Sequence, residues 1–233
     1  MSAWKQLGPF GVLLGASAVL PLLGSALLLL VVPQMEPLMR DGPGWIALLA
    51  VMGVALLCGF ALLNTQAAAL FFGYLYGFWA GLGLIFAGIV LAAWLGYFLA
   101  RRLSGRGLEQ AIQTRPKLAA VHALLAADPR GAMTTTALLR ISPLVPFASV
   151  NVLLAAARVR FGAFFLGTCM GVIPRTVLVA LTGAELASFD AEASIDQRWR
   201  LGLILVSSVL LFLWIGWITR RAIRRRMVWQ PTE

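Results

Sequence analysis

The sequence predicts an all-α, polytopic membrane protein with two opposed re-entrant helical hairpins and flanking transmembrane helices. Of its 233 residues, 61% are hydrophobic and only 12% are charged, a composition typical of integral membrane proteins. The apolar residues form several runs that are long enough to cross a bilayer. Two of these apolar regions are interrupted, at residues 64–66 and 143–146, by residues that do not suit a straight spanning helix.

The net charge of +10 is carried largely by arginines that flank apolar runs or crowd the C-terminal tail. This pattern is typical of orientation signals and of attraction to anionic lipid headgroups, so we expect no nucleic-acid partner. Cys58 and Cys169 both lie in apolar segments. We therefore expect buried, hydrophobic cysteines rather than a disulfide or a metal site.

Residues 1–44 are predicted to form an N-terminal transmembrane anchor followed by a short polar link. The tripeptide at 16–18 resembles a signal-peptidase site, but the apolar run continues far beyond it. This continuation favours an uncleaved anchor. Because proline disrupts helical hydrogen bonding, we expect Pro21 to kink the helix and Pro33 to end it.

The predicted core, residues 45–186, opens with a long apolar stretch that only Asn64, Thr65 and Gln66 interrupt. A crossing takes about 20 residues, so the stretch up to residue 100 can hold one full span and a hairpin of two partial arms. The polar triplet would be the tip of that hairpin. The amides of Asn64 and Gln66 suit a wet cavity, although a turn at the membrane surface is the alternative interpretation.

Glycines recur after this tip, mostly four residues apart, at positions 73, 77, 81, 88 and 96. Small residues at this spacing share a helix face and let helix backbones approach closely. We therefore assign Gly77 and Gly81 a structural role in the first hairpin.

Residues 103–136 break the apolar pattern with charged side chains among spaced leucines. This pattern predicts a cytoplasmic, amphipathic helical hairpin in water or at the membrane surface. The single histidine, His122, is expected to be solvated.

The stretch from residue 138 to 151 is apolar but contains Pro143, Pro146, Arg140 and Asn151. Two prolines three residues apart cannot both lie inside one straight helix. A break at membrane depth requires protein or a water-filled cavity to satisfy the freed backbone groups. We expect a second re-entrant hairpin lined by Arg140 and Asn151, with a proline-rich surface loop as the alternative.

The next apolar span, from about residue 161 to 186, contains Pro174 and Arg175. An arginine this deep is costly unless it reaches water or finds a partner. Arg175 is therefore a candidate to bind an anionic headgroup or an acidic residue such as Glu185. Residues 187–233 are predicted to form an external link, a last transmembrane helix and a basic cytoplasmic tail, with the N-terminus also cytoplasmic.

Three sequence segments carry a family resemblance: Tyr-Gly-Phe-Trp-Ala-Gly at 76–81, Arg-Ile-Ser-Pro-Leu-Val-Pro at 140–146 followed by Asn151, and Arg-Val-Arg-Phe at 158–161. They resemble the VTT-domain (SNARE-associated) branch of the DedA superfamily. The resemblance implies two hairpins that face each other from opposite leaflets. It also implies lipid movement between leaflets, by phospholipid scramblases or by flippases that recycle polyprenyl-phosphate carriers.

The sequence departs from the family pattern at three places. Residues 64–66 lack the proline and acidic residues that many DedA-type members have at the first tip. Pro146 lies about where the DedA type has an additional arginine, and Arg175 lies where glycine is usual. Without an acidic group in the first hairpin, passive scrambling fits the sequence better than proton-coupled transport.

We therefore expect a lipid translocator of the cell membrane, whose partners are membrane lipids with anionic headgroups. The candidate lipid-binding residues are Arg140, Asn151, Asn64, Gln66 and Arg175, and the structural hairpin residues are Pro143, Pro146, Gly77, Gly81 and Pro174. The alternatives are a secondary transporter of a small anion or solute and a non-transporting membrane scaffold; a homo-oligomer is compatible with either. One histidine and scattered carboxylates make no catalytic or metal-binding set, so we expect neither an enzyme nor a cofactor.

Overall fold

A computed structural model describes residues 8–103, 125, 128–142, 145–188 and scattered positions between 199 and 221. These residues form helices and the turns between them, without a strand, which confirms the all-α class for this part of the chain. The helices are α1 (Gly8–Asp41), α2 (Trp45–Gly59), α3 (Thr65–Leu103), α4 (Pro129–Ile141), α5 (Phe147–Ala156) and α6 (Phe161–Ala187). A further apolar helix, Leu205–Ile218, lies in the sparsely described region.

Three of these helices contain segments that are long and apolar enough to cross a membrane: Val19–Asp41, Thr65–Arg102 and Phe161–Ala187. They support the prediction of an integral membrane protein. Helices α2 and α5 are equally apolar but have only 15 and 10 residues. A crossing needs about 20 residues, so each is too short to cross a bilayer alone.

Helix α3 consists of two segments because the chain reverses at Gly77, where φ is 73° and ψ is −179°. A Cβ atom on Gly81 would clash with the carbonyl oxygen of Phe72 and lie 3.0 Å from the Cα of Gly73. In a straight helix, residues 72 and 81 would be about 13 Å apart. The segments 65–76 (α3a) and 78–103 (α3b) therefore pack side by side.

The glycine repeat consequently does not form one helix face, as its spacing predicted. Gly73 lies on α3a, where an added Cβ would clash with the carbonyl oxygen of Ala180 on α6. Gly81 lies on α3b and faces α3a. Close packing does occur at both glycines, but the reversal at Gly77 turns them toward different neighbours.

Helices α2 and α3a form a first helix pair, joined by a turn at residues 60–64. The Oδ1 atom of Asn64 accepts a 2.8 Å hydrogen bond from the backbone N–H of Gln66, so Asn64 caps α3a at its N-terminus. Segment α3b packs along α2, with Gly88 near Val51. This arrangement of one long segment and two short arms agrees with the prediction; of the polar triplet, Asn64 lies at the turn, and Thr65 and Gln66 begin α3a.

Helices α4 and α5 form a second pair, and the predicted break between them is present. Ser142 ends α4 in an extended conformation, with ψ of 120°, as expected for a residue before proline. Pro146, at φ −55° and ψ 140°, immediately precedes α5. Pro143 and Leu144 lie outside the described residues.

Helix α1 corrects the prediction that Pro33 ends the first helix, because it continues through Pro33 and Pro37 to Asp41. Its last turns are held in place by side-chain contacts. The Nε atom of Arg40 lies 3.0 Å from Oε1 of Glu36, and Nη2 of Arg40 donates a 3.0 Å hydrogen bond to the carbonyl oxygen of Tyr74. This carbonyl lies at the C-terminus of α3a, where helical partners are missing.

Part of the predicted amphipathic region, 103–136, also needs correction. Residues 104–124 and 126–127 are outside the described part of the chain, but Asp128 caps α4 through a 2.9 Å hydrogen bond from the N–H of Gly131. Thr135 and Thr136 are buried. A Cβ on Gly167 of α6 would lie 2.5 Å from the carbonyl oxygen of Met133, so α4 belongs to the packed core.

The apolar interior has two clusters. The first cluster lies around α2, α3a and the nearby part of α3b, and includes Cys58, Phe72 and Ile85. The second cluster lies around α4, α5 and the start of α6, and includes Leu154 and Phe164. Both cysteines are free; the prediction of burial is confirmed for Cys58, whereas Cys169 is only partly buried.

Candidate functional site

Two buried arginines define the candidate site. Arg140, near the end of α4, is 1% exposed, and Arg175, in the middle of α6, is 6% exposed. Within the described residues neither guanidinium forms an ion pair with a carboxylate; the pair that is present joins Arg40 to Glu36. Burial of two cations without a counter-ion is costly, so this site lacks negative charge.

Arg140 is held by residues of α5. Its Nη2 donates a hydrogen bond to Oδ1 of Asn151, and its Nη1 donates a 3.3 Å hydrogen bond to the carbonyl oxygen of Phe147. The guanidinium carbon lies 4.5 Å from the ring centre of Phe147 and 5.9 Å from that of Phe164. Such cation–π contacts partly offset the loss of hydration.

Arg175 reaches the first helix pair instead. Its Nη2 donates a long, 3.4 Å hydrogen bond to Oγ1 of Thr65, the first residue of α3a. The predicted alternative of an ion pair with Glu185 is wrong. Glu185 follows ten residues later on the same helix, about 15 Å along its axis.

Arg140 and Arg175 start from neighbouring positions although they belong to different helices, α4 and α6. A Cβ on Gly171 would lie 2.5 Å from the Cβ of Arg140, and Arg175 follows Gly171 by four residues, on the same face of α6. Both side chains are cationic, and like charges repel each other. A bound anion would relieve this repulsion.

Gly96 of α3b brings the two helix pairs together at one point. A Cβ at this position would clash with Nδ2 of Asn151 and lie 3.2 Å from the carbonyl oxygen of Gly59. Gly59 ends α2 in the first pair, and Asn151 belongs to α5 in the second. The absence of a side chain at Gly96 therefore allows the ends of both pairs to approach.

Several buried polar atoms have no hydrogen-bond partner among the described residues. Nearest the site are Nε of Arg140, Nε of Arg175, Nδ2 of Asn151 and Oε1 of Gln66; the others are Oη of Tyr76 and Oγ1 of Thr135, Thr136 and Thr168. An unsatisfied buried polar group is costly, and such groups are rare in native structures. Three of the four nearest atoms are donors, so the site is suited to an oxyanion.

The structure brings some predicted residues together and separates others. Arg140 and Asn151 are hydrogen-bonded. Asn64 uses its Oδ1 atom to cap α3a, so it has a local structural role. Gly77 and Gly81 lie at the chain reversal and next to it, and Pro174 precedes Arg175 within α6.

Sequence reasoning missed four residues that contact the arginines or Asn151: Phe147, Phe164, Thr65 and Gly96. Phe147 has no distinguishing signal beyond its place after Pro146. Gly96 belongs to the glycine repeat. The repeat indicates that another helix packs closely against this one, but not which residue of that helix lies next to Gly96.

Comparison with known proteins gives one family match. The family model of the VTT domain matches residues 63–185, from the turn of the first helix pair to the last part of α6. Uncharacterized protein YqeD of Bacillus subtilis (strain 168) is 29% identical over 116 residues, which are 50% of this chain and 54% of YqeD. The chain thus spans about half the length of this curated relative. No solved structure matches the chain.

Proposed function

Because the chain belongs to the VTT-domain family of DedA-type membrane proteins, we propose that it moves phosphate-bearing lipids between the two leaflets of a membrane. The observation that carries this proposal is the pair of buried arginines, Arg140 and Arg175, which have no carboxylate partner among the described residues. A guanidinium recognises phosphate through charge-assisted hydrogen bonds.

The depth of the arginines supports this function. Helix α6 has 27 residues and can cross a bilayer. Arg175 follows its first residue by about 21 Å, and Gly171, which contacts Arg140, follows it by about 15 Å. Arg175 and the Cβ of Arg140 therefore lie near the middle of a membrane-spanning helix, where a translocated headgroup faces its highest barrier.

The two helix pairs support a re-entrant arrangement. All four arms are short: α2 has 15 residues, α3a comprises residues 65–76, α4 has 13 residues and α5 has 10. The open end of a pair is the end opposite its connecting turn. In the first pair this end lies at the Gly77 end of α3b, where Arg40 donates a hydrogen bond to Tyr74. The open end of the second pair lies at the other end of α3b, where Tyr97 donates a 2.6 Å hydrogen bond to the carbonyl oxygen of Val159.

In this arrangement the pairs enter from opposite leaflets and their breaks meet inside the membrane. A broken helix can be stable there only if it is buried in protein or lines a wet cavity. Transporters use such breaks to bring helix ends and backbone groups to a substrate. A lipid headgroup would follow the polar groups, while its acyl chains remain in the bilayer.

The charges at the two ends support one orientation. Exposed arginines surround the Tyr97 end of α3b at positions 101, 102, 158 and 160. The Gly77 end has Arg40 with Glu36 and Asp41. Basic residues mark the cytoplasmic side of a membrane. In the plasma membrane, the second helix pair would therefore open toward the cytoplasm.

Reconstitution in lipid vesicles tests the proposal. A fluorescent, NBD-labelled phospholipid is placed in both leaflets, and dithionite then quenches the label that reaches the outer leaflet. The wild-type protein should expose the inner-leaflet label, whereas Arg140→Gln should slow this exposure about tenfold or more, because loss of a buried charged contact costs several kcal/mol. The control variant Arg102→Gln alters an exposed arginine and should leave the rate unchanged.

Unchanged protection of the inner-leaflet label with the wild-type protein would overturn the proposal. A second candidate, transport of a soluble anion, has one specific observation in its favour: the two guanidinium groups would bind free phosphate by the same chemistry. Uptake of radiolabelled phosphate into the same vesicles, without any exchange of the labelled lipid, would support the second candidate.

A further inference from the structure

Phe147 occupies a special place between the two apolar clusters. It is half-buried, it is the first residue of α5, and it directly follows the break of the second helix pair. Among the described residues, it packs against both the first and the second cluster. Its ring therefore joins the two apolar regions at the level where the polar groups of the site lie.

Arg140 holds Phe147 in two ways. The guanidinium lies over the ring at 4.5 Å, and its Nη1 donates a hydrogen bond to the backbone carbonyl of the same residue. That hydrogen bond is 3.3 Å long, which is longer than the usual 2.7–3.2 Å range. The residue proposed to bind the headgroup is therefore also the residue that positions the ring.

We propose that Phe147 is the gate of the translocation path, and that Arg140 holds it closed and releases it only when a headgroup binds, so that loss of Arg140 removes the opening step; this inference rests on the proposed function. A bulky apolar ring next to the headgroup site excludes water and phosphate, as hydrophobic constrictions do in channels. With the ring in place, Phe147 separates the polar region around Arg140 from the first cluster. When the ring is displaced, these two regions become connected.

Binding of a phosphate at Arg140 supplies the force that opens the gate. Charge-assisted hydrogen bonds from a guanidinium to phosphate are shorter and stronger than a long bond to a carbonyl oxygen. A phosphate oxygen would therefore displace the carbonyl of Phe147 from Nη1. Phe147 then loses one of its two contacts with Arg140, so that headgroup arrival and gate opening are coupled.

The dithionite assay tests the gate with three substitutions of one side chain. Phe147→Ala removes the ring and should raise the rate of lipid exchange about tenfold. Phe147→Leu keeps most of the apolar packing and should raise the rate less, and Phe147→Trp should lower it. The matched control is Phe86→Ala, since Phe86 is also half-buried but packs against the first cluster only; its rate should stay at the wild-type value.

The rate at which a thiol reagent modifies Cys58 tests the gate even if the vesicle assay shows no lipid exchange. In a Cys169→Ser background, Cys58 is a reporter in the first cluster, 1% exposed. Removal of the ring admits water to this cluster, so Phe147→Ala should raise the rate at which a small charged thiol reagent modifies Cys58.

Three results separate the two proposals. Wild-type exchange with equal rates for all three Phe147 variants would overturn the gate and leave the proposed function intact. An inactive wild-type protein whose Cys58 becomes more reactive in Phe147→Ala would overturn lipid exchange but support the gate. Equal Cys58 reactivity in Phe147→Ala and the wild type would overturn the gate as well.

Discussion

A guanidinium group inside a membrane protein needs compensation for the water that it loses. Arg140 obtains part of it from Asn151 and from two aromatic rings, whereas Arg175 has one long hydrogen bond to Thr65. Neither has an anionic partner in the part of the chain that the structure describes. The remaining need for negative charge is the physical reason for proposing that this site binds a phosphate.

Gly96 determines how closely the amide of Asn151 approaches α3b. An alanine there would place its Cβ against Nδ2 of Asn151, so Gly96→Ala should lower the stability of the protein by about 1–3 kcal/mol, as overpacking does. Because Asn151 holds Arg140, the variant should also slow lipid exchange. Thermal unfolding in detergent and the dithionite assay measure the two effects.

The control for this prediction is Gly53→Ala, because an added Cβ at Gly53 of α2 would meet no atom within 4 Å. Its unfolding temperature and exchange rate should equal or exceed those of the wild type. A Gly96→Ala protein that matches this control in both measurements would contradict the role given to Gly96.

At the scale of the helices, the reversal at Gly77 separates a short arm from a full-length crossing. Its backbone, with φ 73° and ψ −179°, is in a region that only glycine adopts readily. Without this reversal, α3 would be one helix of 39 residues, about 58 Å long. Such a helix would exceed the bilayer and would leave the first pair without its second arm.

Gly77→Ala should therefore destabilise the protein by about 1–3 kcal/mol through backbone strain alone, because no atom lies within 4 Å of the position that a Cβ would occupy. Gly83→Ala, also free of such neighbours but inside regular helix, should be neutral or stabilising by up to about 1 kcal/mol. Denaturant unfolding in detergent measures both. Equal stability of the two variants would show that the reversal does not depend on glycine.

The length of α1 shows how one element depends on another. Pro33 and Pro37 disfavour helix locally, yet α1 continues to Asp41 because Arg40 reaches both Glu36 and the C-terminus of α3a. The second of these contacts joins residues 34 positions apart. Nothing local to the prolines signals such a contact, so the end of α1 was predicted wrongly.

At the scale of the whole molecule, the distribution of charge predicts orientation. Arg160 lies exposed at the Tyr97 end of α3b, and Ser188 lies exposed after α6, at the opposite end. In a protein without native cysteines, Ser188→Cys should react with a membrane-impermeant thiol reagent in intact cells. Arg160→Cys should react only after the cells are permeabilised, because basic ends face the cytoplasm.

The reverse labelling pattern would place the second helix pair on the outer side and contradict the assigned orientation. Labelling at neither position in intact cells, with both positions reactive after permeabilisation, would mean that α6 does not cross the membrane. Each result is independent of whether lipids move.

The sequence by itself determined the membrane class, the all-α class of the described residues, and two of the helix breaks, before Thr65 and after Ile141. These properties depend on composition and on local chain chemistry: apolar runs select the bilayer, and proline near residues 143–146 prevents a continuous helix. Arg140 and Asn151 could be identified from the sequence as candidate site residues for a similar reason, because polar groups in an apolar run are costly wherever the run is buried.

Only the tertiary structure decided which residues meet. Arg175 with Thr65, Gly96 with both helix pairs, and Phe147 between the two clusters are contacts between residues that are remote in sequence. Spacing along a chain shows which residues share a helix face, but it does not show what faces them. That depends on how the helices pack, and packing is set by all of their surfaces together.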